Sequence, residues 1–140
     1  MKHGRILGID PGERRVGVAL SDPEGVIASP HSIVAARVAV ELIAKIADEN
    51  DVRAIVVGLP LTLGGDEGAA ANAARRLGAQ IAEATGRNLV YWDERFTSVQ
   101  AERALVAGGM KRKDRRATTD KVAAALLLQS YLDAQMNDRP

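Results

Sequence analysis

The sequence contains no cysteine and very few aromatic residues. Phenylalanine, tryptophan and tyrosine together make up 3% of its 140 residues. The absence of cysteine excludes disulfides, thiolate zinc sites and a cysteine nucleophile, and it fits a reducing compartment. The two histidines, His3 and His31, are too far apart in the chain for the usual metal-ligand spacings. We therefore expect an active site to rely on other side chains.

Long apolar runs and an excess of one charge are also missing. The chain does not open on a signal-peptide core, and no apolar stretch approaches the length of a membrane span. We therefore expect a cytoplasmic protein with no membrane partner. The formal net charge is +1, so attraction to a polyanion must come from local clusters of basic residues. The length and the 46% hydrophobic content fit one α/β domain over residues 1–140.

Three short strand candidates lie close together at the start of the chain. They span residues 5–10, 16–21 and 26–34, and turn residues such as Asp22 and Pro23 separate them. Short connections of this kind favour an antiparallel meander.

After these strands the pattern changes to alternating helices and strands. Helices are predicted at residues 36–50, 69–85, 97–107 and 119–136, and strands at residues 52–58 and 88–93. Gly86 is well placed to end the second helix. Residues 110–118 are polar, lack periodicity and are predicted to form a loop. The order predicts an α/β fold with a five-stranded mixed sheet, made of a three-strand antiparallel meander and two parallel strands, flanked by helices.

Three acidic residues stand out by their positions in this pattern. Asp10 ends the first strand, Glu94 follows the last strand directly after Asp93, and Asp120 begins the last helix. In open α/β sheets the ligand crevice lies beyond the carboxyl ends of the parallel strands, so Asp10 and Glu94 can reach one edge. Clustered carboxylates without histidine or cysteine favour hard cations such as Mg²⁺ or Mn²⁺. A pair of such ions can serve phosphodiester hydrolysis.

Each acid also has a purely structural interpretation. Asp10 could belong to a turn with Pro11, and Asp93 and Glu94 could end a strand at the surface. Asp120 could favour the positive end of a helix dipole, a contribution of about 1 kcal/mol at most at an exposed site. Spacing alone does not decide between these interpretations, nor does it distinguish Glu94 from Asp93.

Four segments of the chain form a recognisable series. They are GIDPGERRVGVA at residues 8–19, VGLPL at 57–61, DERFTS at 93–98 and DKVAA at 120–124. In this order they resemble the motifs of the YqgF family, the pre-16S rRNA nucleases related to Holliday junction resolvases. The similarity covers nearly the whole chain.

The resemblance implies an RNase H-like fold and a metal-dependent nuclease. It implies that Asp10, Glu94 and Asp120 are the catalytic residues and bind Mg²⁺ or Mn²⁺, and it favours Glu94 over Asp93. It further implies hydrolysis of phosphodiester bonds in structured RNA, at the 5′ end of pre-16S rRNA in ribosome biogenesis.

Basic residues near these acids are candidates for contacts with nucleic-acid phosphates. The candidates are Arg14, Arg15, Arg95, Lys111, Arg112, Lys113, Arg115, Arg116 and Lys121. Most of them belong to the predicted loop before Asp120, where cations can neutralise phosphates. The alternative is a solvated basic loop with no partner, and Arg95 could instead pair with a neighbouring acid. The dispersed aromatics favour recognition of backbone shape and charge over base reading.

Other functions fit parts of the sequence. The same acids could serve a resolvase of four-way DNA junctions, which should act as a symmetric dimer, whereas the sequence itself allows a monomer or a homodimer. A nucleic-acid-binding protein without catalysis is a further alternative. The phosphate-binding hairpin of sugar kinases and actin-like ATPases resembles residues 10–17, but 140 residues leave no room for their second lobe.

Overall fold

A five-stranded mixed sheet forms the centre of the computed structural model, which describes residues 4–96 and 112–137. The strands are β1 (Arg5–Asp10), β2 (Arg15–Ser21), β3 (Ala28–Ala35), β4 (Val52–Leu59) and β5 (Asn88–Asp93). Their spatial order is β3-β2-β1-β4-β5. The pairs β1–β2 and β2–β3 are antiparallel, and the pairs β1–β4 and β4–β5 are parallel. The predicted α/β fold, with a three-strand meander and two parallel strands, is thus confirmed.

The third strand begins two residues later than predicted and contains a proline. Pro30 pairs with Ala19, and the register of the β2–β3 pair shifts between Val18 and Ala19. Proline lacks the backbone N–H that a ladder needs, so sheets tolerate it at edges and irregularities. β3 is an edge strand, which explains how the meander accommodates Pro30.

Three α-helices cover the sheet: α1 (Ala39–Glu49), α2 (Ala69–Thr85) and α3 (Arg112–Asn137). The predicted first helix is divided, because residues Ala36–Val38 form a 3₁₀ turn before α1 begins. α2 has the predicted bounds and ends at Gly86, whose φ of 65° is left-handed, a conformation that glycine adopts without steric cost. The predicted helix at residues 97–107 lies outside the described residues.

The prediction of a loop at residues 110–118 is wrong for the described part of that segment. α3 starts at Arg112, seven residues before the predicted start of the last helix at residue 119. Residues 112–118 contain neither glycine nor proline, and arginine, lysine and alanine favour helix. The prediction relied on apolar periodicity, which this basic first part of α3 does not have.

The two faces of the sheet are covered by different helices. On one face, Ile9, Val18 and Val57 pack with Ile43 of α1 and Ile81 of α2. On the other face, the even-numbered residues of β1 and β4 pack against α3, as in the cluster of Ile6, Val56, Ala124, Leu128 and Leu132. Side chains alternate between faces along a strand, so Asp10 and Gly58 belong to the α3 face. Among the described residues no helix is long and apolar enough to cross a membrane.

Candidate active site

Asp10 and Glu94 come from two strands that are not neighbours in the sheet. Asp10 is the last residue of β1, and Glu94 is the first residue of a 3₁₀ turn, Glu94–Phe96, that follows β5 directly. β4 lies between these strands, and neighbouring strands are about 4.8 Å apart. Two side chains from β1 and from the end of β5 can therefore meet only by reaching over β4.

The structure brings the two carboxyl groups into contact over β4. Burial, a hydrogen bond with Asp10 and repulsion by its charge raise the pKa of Glu94 from 4.5 to about 9, and Asp93 adds a smaller repulsion. Two carboxyl groups in contact cannot both ionise without a nearby positive charge. In the metal-free protein the Asp10–Glu94 pair therefore retains one proton near neutral pH.

Gly58 provides the space in which the Glu94 side chain lies. Val57 pairs with Ile9, which places Gly58 level with Asp10 on the intervening strand. A Cβ atom at position 58 would lie 2.5 Å from Glu94 Oε1 and 2.9 Å from its Cγ. The acid thus rests directly on the glycine backbone of β4.

A second glycine brings α3 against the same face of the sheet. A Cβ atom at Gly8 would lie 2.8 Å from Cβ of Leu128 and 3.4 Å from the carbonyl oxygen of Ala124. Asp120 precedes Ala124 by one helical turn in α3. The backbone of the third predicted acid therefore belongs to the helix that packs on the Asp10 side of the sheet, and its side chain lies outside the described part of the structure.

Asp93 is held in a different way from Glu94. The Arg95 guanidinium donates to Asp93 through Nε at 2.9 Å and through Nη2 at 2.7 Å, and the Arg95 backbone N–H donates to Oδ1. These hydrogen bonds and the positive charge lower the pKa of Asp93. Arg95 thus pairs with a neighbouring acid, one of the two alternatives that the sequence left open, and its side chain remains 41% exposed.

The loop between β4 and α2 approaches Arg95 from the other side. A Cβ atom at Gly65 would lie 3.4 Å from Arg95 Nη1. The loop is closed by a bridge between Leu61 and Glu67, and Glu67 accepts hydrogen bonds from Nε and Nη2 of Arg75 on α2. Two ion pairs, Arg95–Asp93 and Arg75–Glu67, therefore stabilise this edge of the candidate site.

The described acids suit a hard cation but do not complete a site for one. Within residues 4–96 and 112–137, no group of three histidine, cysteine, aspartate or glutamate side chains is placed to hold a metal ion. Asp10 and Glu94 supply two sets of carboxylate oxygens, the ligands that Mg²⁺ and Mn²⁺ prefer. A cation between them would relieve the repulsion that raises the pKa of Glu94.

The predicted phosphate-binding residues are only partly visible in the structure. Arg14 and Arg15 are exposed after the turn that follows Asp10. Five other basic residues belong to the first part of α3: Arg112, Lys113, Arg115, Arg116 and Lys121. The structure describes their backbone but not their side chains. Lys111 lies outside the described residues. Four of these five residues precede Asp120 in α3, and Lys121 follows it directly.

A cavity of about 540 Å³ opens on the opposite face of the sheet from the two acids. It is lined by Pro11, by Pro60 and by alanines of α2 such as Ala73, and neither Asp10 nor Glu94 contributes to it. Its lining lacks the convergent polar groups that phosphodiester chemistry requires. We therefore place the candidate site at the carboxylates.

Sequence reasoning missed the roles of Gly8 and Gly58. Both lie inside the motifs at residues 8–19 and 57–61, but the sequence pattern alone indicates no function for either. A glycine within a strand that is otherwise aliphatic and β-branched indicates close approach by another group, and this signal was available at Gly58. It could not identify Glu94 as the approaching group, because that depends on the position of β5.

The chain matches the RuvX family, described as Holliday junction resolvase, over residues 4–134. It belongs to this family. A relative from Lactococcus lactis subsp. cremoris, named as a pre-16S rRNA nuclease, is 42% identical over 135 residues, which cover 93% of this chain and 94% of the relative. A relative of the same name from Chloroflexus aggregans is 43% identical over 140 residues, which cover 98% and 99% of the two chains. The resemblance to the pre-16S rRNA nucleases is thereby confirmed.

A solved structure supports the same fold. RuvC of T. thermophilus, in complex with a Holliday junction substrate, superposes with a TM-score of 0.61 and covers 97% of this chain and 98% of its own. Its sequence identity is 19%, so this similarity bears on the fold alone. The RNase H-like fold implied by the motifs is confirmed, and the family and its relatives make this RuvX-family chain a nuclease.

Proposed function

We propose that this RuvX-family protein is a divalent-metal-dependent nuclease that hydrolyses phosphodiester bonds in structured RNA, at the 5′ end of pre-16S rRNA, in the cytoplasm. The contact between the Asp10 and Glu94 carboxyl groups over β4 carries the proposal. Two acids held together at the carboxyl ends of parallel strands suit a cation that also binds phosphate. The relatives' names supply the RNA substrate.

Asp10, Glu94 and Asp120 are the proposed ligands of Mg²⁺ or Mn²⁺. Support for Asp120 comes from its place one turn before Ala124, whose carbonyl lies over Gly8, two residues from Asp10. When bound, such ions supply charge neutralisation at the scissile phosphate and activation of the attacking water. The fold holds the two described acids on one face of the sheet, so that little reorganisation precedes the reaction.

The basic residues are the proposed contacts with the nucleic-acid backbone. Arg14 and Arg15 are exposed close to Asp10, and the first part of α3 carries the remaining cluster. Arg95 is oriented by Asp93, and an arginine that is fixed in this way binds a phosphate with less loss of side-chain entropy. Contacts of this type determine affinity and register but not base sequence.

A second candidate substrate is the four-way DNA junction. The family is described as Holliday junction resolvase, and hydrolysis of either substrate would use the same acids. A junction has two-fold symmetry, so a resolvase should act as a homodimer that cuts two strands. An RNA nuclease has no such requirement and can act as a monomer.

Cleavage of both substrates by one purified protein tests the proposal. The wild-type protein, Asp10→Asn and Asp51→Asn are incubated with a 5′-extended rRNA helix or a four-way DNA junction of matched length, with Mg²⁺, Mn²⁺ or EDTA. Asp51 is an exposed aspartate just before β4, at the opposite end of the strand from Gly58, so its variant controls for loss of one negative charge.

We expect metal-dependent cleavage of the RNA by the wild type and by Asp51→Asn, and none by Asp10→Asn. If the protein cleaves only the junction, the same site acts on DNA junctions and not on RNA. Binding of RNA without cleavage under any metal condition would contradict the enzymatic proposal and favour a binding protein.

A further inference from the structure

Gly58 lies at the point on β4 that the Glu94 side chain crosses to reach Asp10. β1 and β5 are separated by β4, so the ends of these two strands lie roughly 10 Å apart, twice the spacing of neighbouring strands. A glutamate can span most of this distance only if its side chain lies flat across β4. The position it crosses is Gly58, level with Asp10 in the parallel register.

The three heavy atoms nearest to a Cβ at position 58 all belong to Glu94. They are Oε1 at 2.5 Å, Cγ at 2.9 Å and Cδ at 3.1 Å. Real Cβ atoms do not approach other heavy atoms at the first two distances, so even the methyl group of alanine would displace the Glu94 side chain. The side chain of Glu94 therefore occupies the volume that any other residue at this position would fill.

The backbone at Gly58 does not itself require glycine. Its φ is not among the positive values, which within the described residues occur at Asp51 and at the glycines Gly4, Gly25, Gly65 and Gly86. Alanine could adopt the same extended conformation of β4. The requirement for glycine at position 58 is thus one of space.

We propose that Gly58 is a positioning residue whose missing side chain leaves open the path by which Glu94 reaches Asp10 across β4. Any side chain at this position would separate the two carboxyl groups without changing either acid. The consequence for metal binding rests on the proposed function, whereas the contact of Gly58 with Glu94 does not.

Gly8 offers a matched control, because it is also a strand glycine on the α3 face with a close neighbour. A Cβ at Gly8 would meet Leu128 and Ala124 of α3, not Glu94. Gly8→Ala should therefore disturb the packing of α3 whether or not Glu94 is present.

A double-mutant cycle in the metal-free protein tests the contact directly. The urea midpoint is measured for the wild type, Gly58→Ala, Glu94→Ala and the double variant, and for Gly8→Ala alone and with Glu94→Ala. We expect Gly58→Ala to lower the midpoint in the wild-type background and to leave it unchanged or raise it in the Glu94→Ala background, because alanine is favoured over glycine inside a strand once the space is free. Gly8→Ala should lower the midpoint by the same amount in both.

An equal loss from Gly58→Ala in both backgrounds would overturn the proposal, because the methyl group would then collide with something other than Glu94. If Gly58→Ala alone fails to fold, the urea midpoints of Glu94→Ala and of the double variant are compared instead. A midpoint of the double variant equal to or above that of Glu94→Ala supports the proposal, and a lower midpoint overturns it.

Titration of Mn²⁺, followed by its electron paramagnetic resonance signal, separates this inference from the proposed function. We expect Gly58→Ala to weaken binding about 10- to 100-fold, the range for loss of a residue that orients a ligand. Wild-type protein that binds no Mn²⁺ would contradict the metal site, while the urea cycle would still decide the role of Gly58. Unchanged Mn²⁺ affinity in Gly58→Ala, with wild-type binding intact, would overturn the positioning role.

Discussion

Asp93 and Glu94 are adjacent in the chain, yet their carboxyl groups lie in opposite electrostatic environments. The pKa of Asp93 is lowered because Arg95 donates hydrogen bonds to it, and the pKa of Glu94 is raised to about 9 because burial and Asp10 disfavour its charge. One acid is neutralised by a protein cation and the other faces a second acid. An acid whose pKa is raised in this way is typical of functional sites, and for this reason we propose Glu94, and not Asp93, as the metal ligand.

The two acids in contact should both be required for cleavage. We expect Asp10→Asn and Glu94→Gln each to lower the cleavage rate at least about 100-fold, equivalent to about 2.7 kcal/mol of lost transition-state stabilisation. Single-turnover cleavage of the RNA substrate measures this loss. Asp93→Asn should retain more activity than Glu94→Gln. If Asp93→Asn is instead the less active of the two variants, Asp93 and not Glu94 is the metal ligand.

Stability of the metal-free protein should depend on pH through Glu94. Its pKa is higher in the folded protein than its ordinary value of 4.5, so the folded state binds the proton more tightly than the unfolded chain. This contribution is complete below pH 4.5, decreases as the pH rises, and is lost above about pH 9. The slope for one proton is at most about 1.4 kcal/mol per pH unit.

Urea unfolding in EDTA across this pH range measures the effect. Glu94→Gln should remove the decrease in stability, because glutamine does not titrate. Glu83→Gln, on the exposed side of α2, should retain it. Identical pH profiles for the wild type and Glu94→Gln would show that Glu94 does not carry the raised pKa.

The basic first part of α3 should contribute to nucleic-acid affinity through phosphate contacts. Replacing both Arg115 and Arg116 by alanine should weaken binding of RNA and lower the slope of log K against log salt by about 2. Fluorescence anisotropy at several salt concentrations measures the slope. Arg76→Ala, which removes an exposed charge from α2, should leave the slope unchanged, and an equal effect would indicate general attraction by net charge.

The early start of α3 can be tested by helix propensity. Ala117 lies in the helix, and glycine inside a helix costs about 0.5–1 kcal/mol relative to alanine. Ala117→Gly should therefore lower the free energy of unfolding by about as much as Ala79→Gly in α2. A loss confined to Ala79→Gly would support a loop at residue 117.

Local features of the fold followed from the sequence because they depend on local periodicity. The bounds of β5 and α2 were predicted correctly, and the glycine after α2 adopts the left-handed conformation expected at a helix end. The start of α3 was missed because the first part of that helix has no apolar stripe, which was the signal used. The proline in β3 was accommodated because the strand lies at the edge of the sheet.

The sequence by itself determined the element order and the family, and made Asp10, Glu94 and Asp120 the candidate acids, since apolar periodicity and motif order are written along the chain. Only the tertiary structure decided which groups meet. Glu94 contacts Asp10 because β4 separates their strands and carries a glycine where the side chain crosses, and Arg95 turns to Asp93. These contacts depend on strand register and on distances between residues far apart in sequence, which no local pattern encodes.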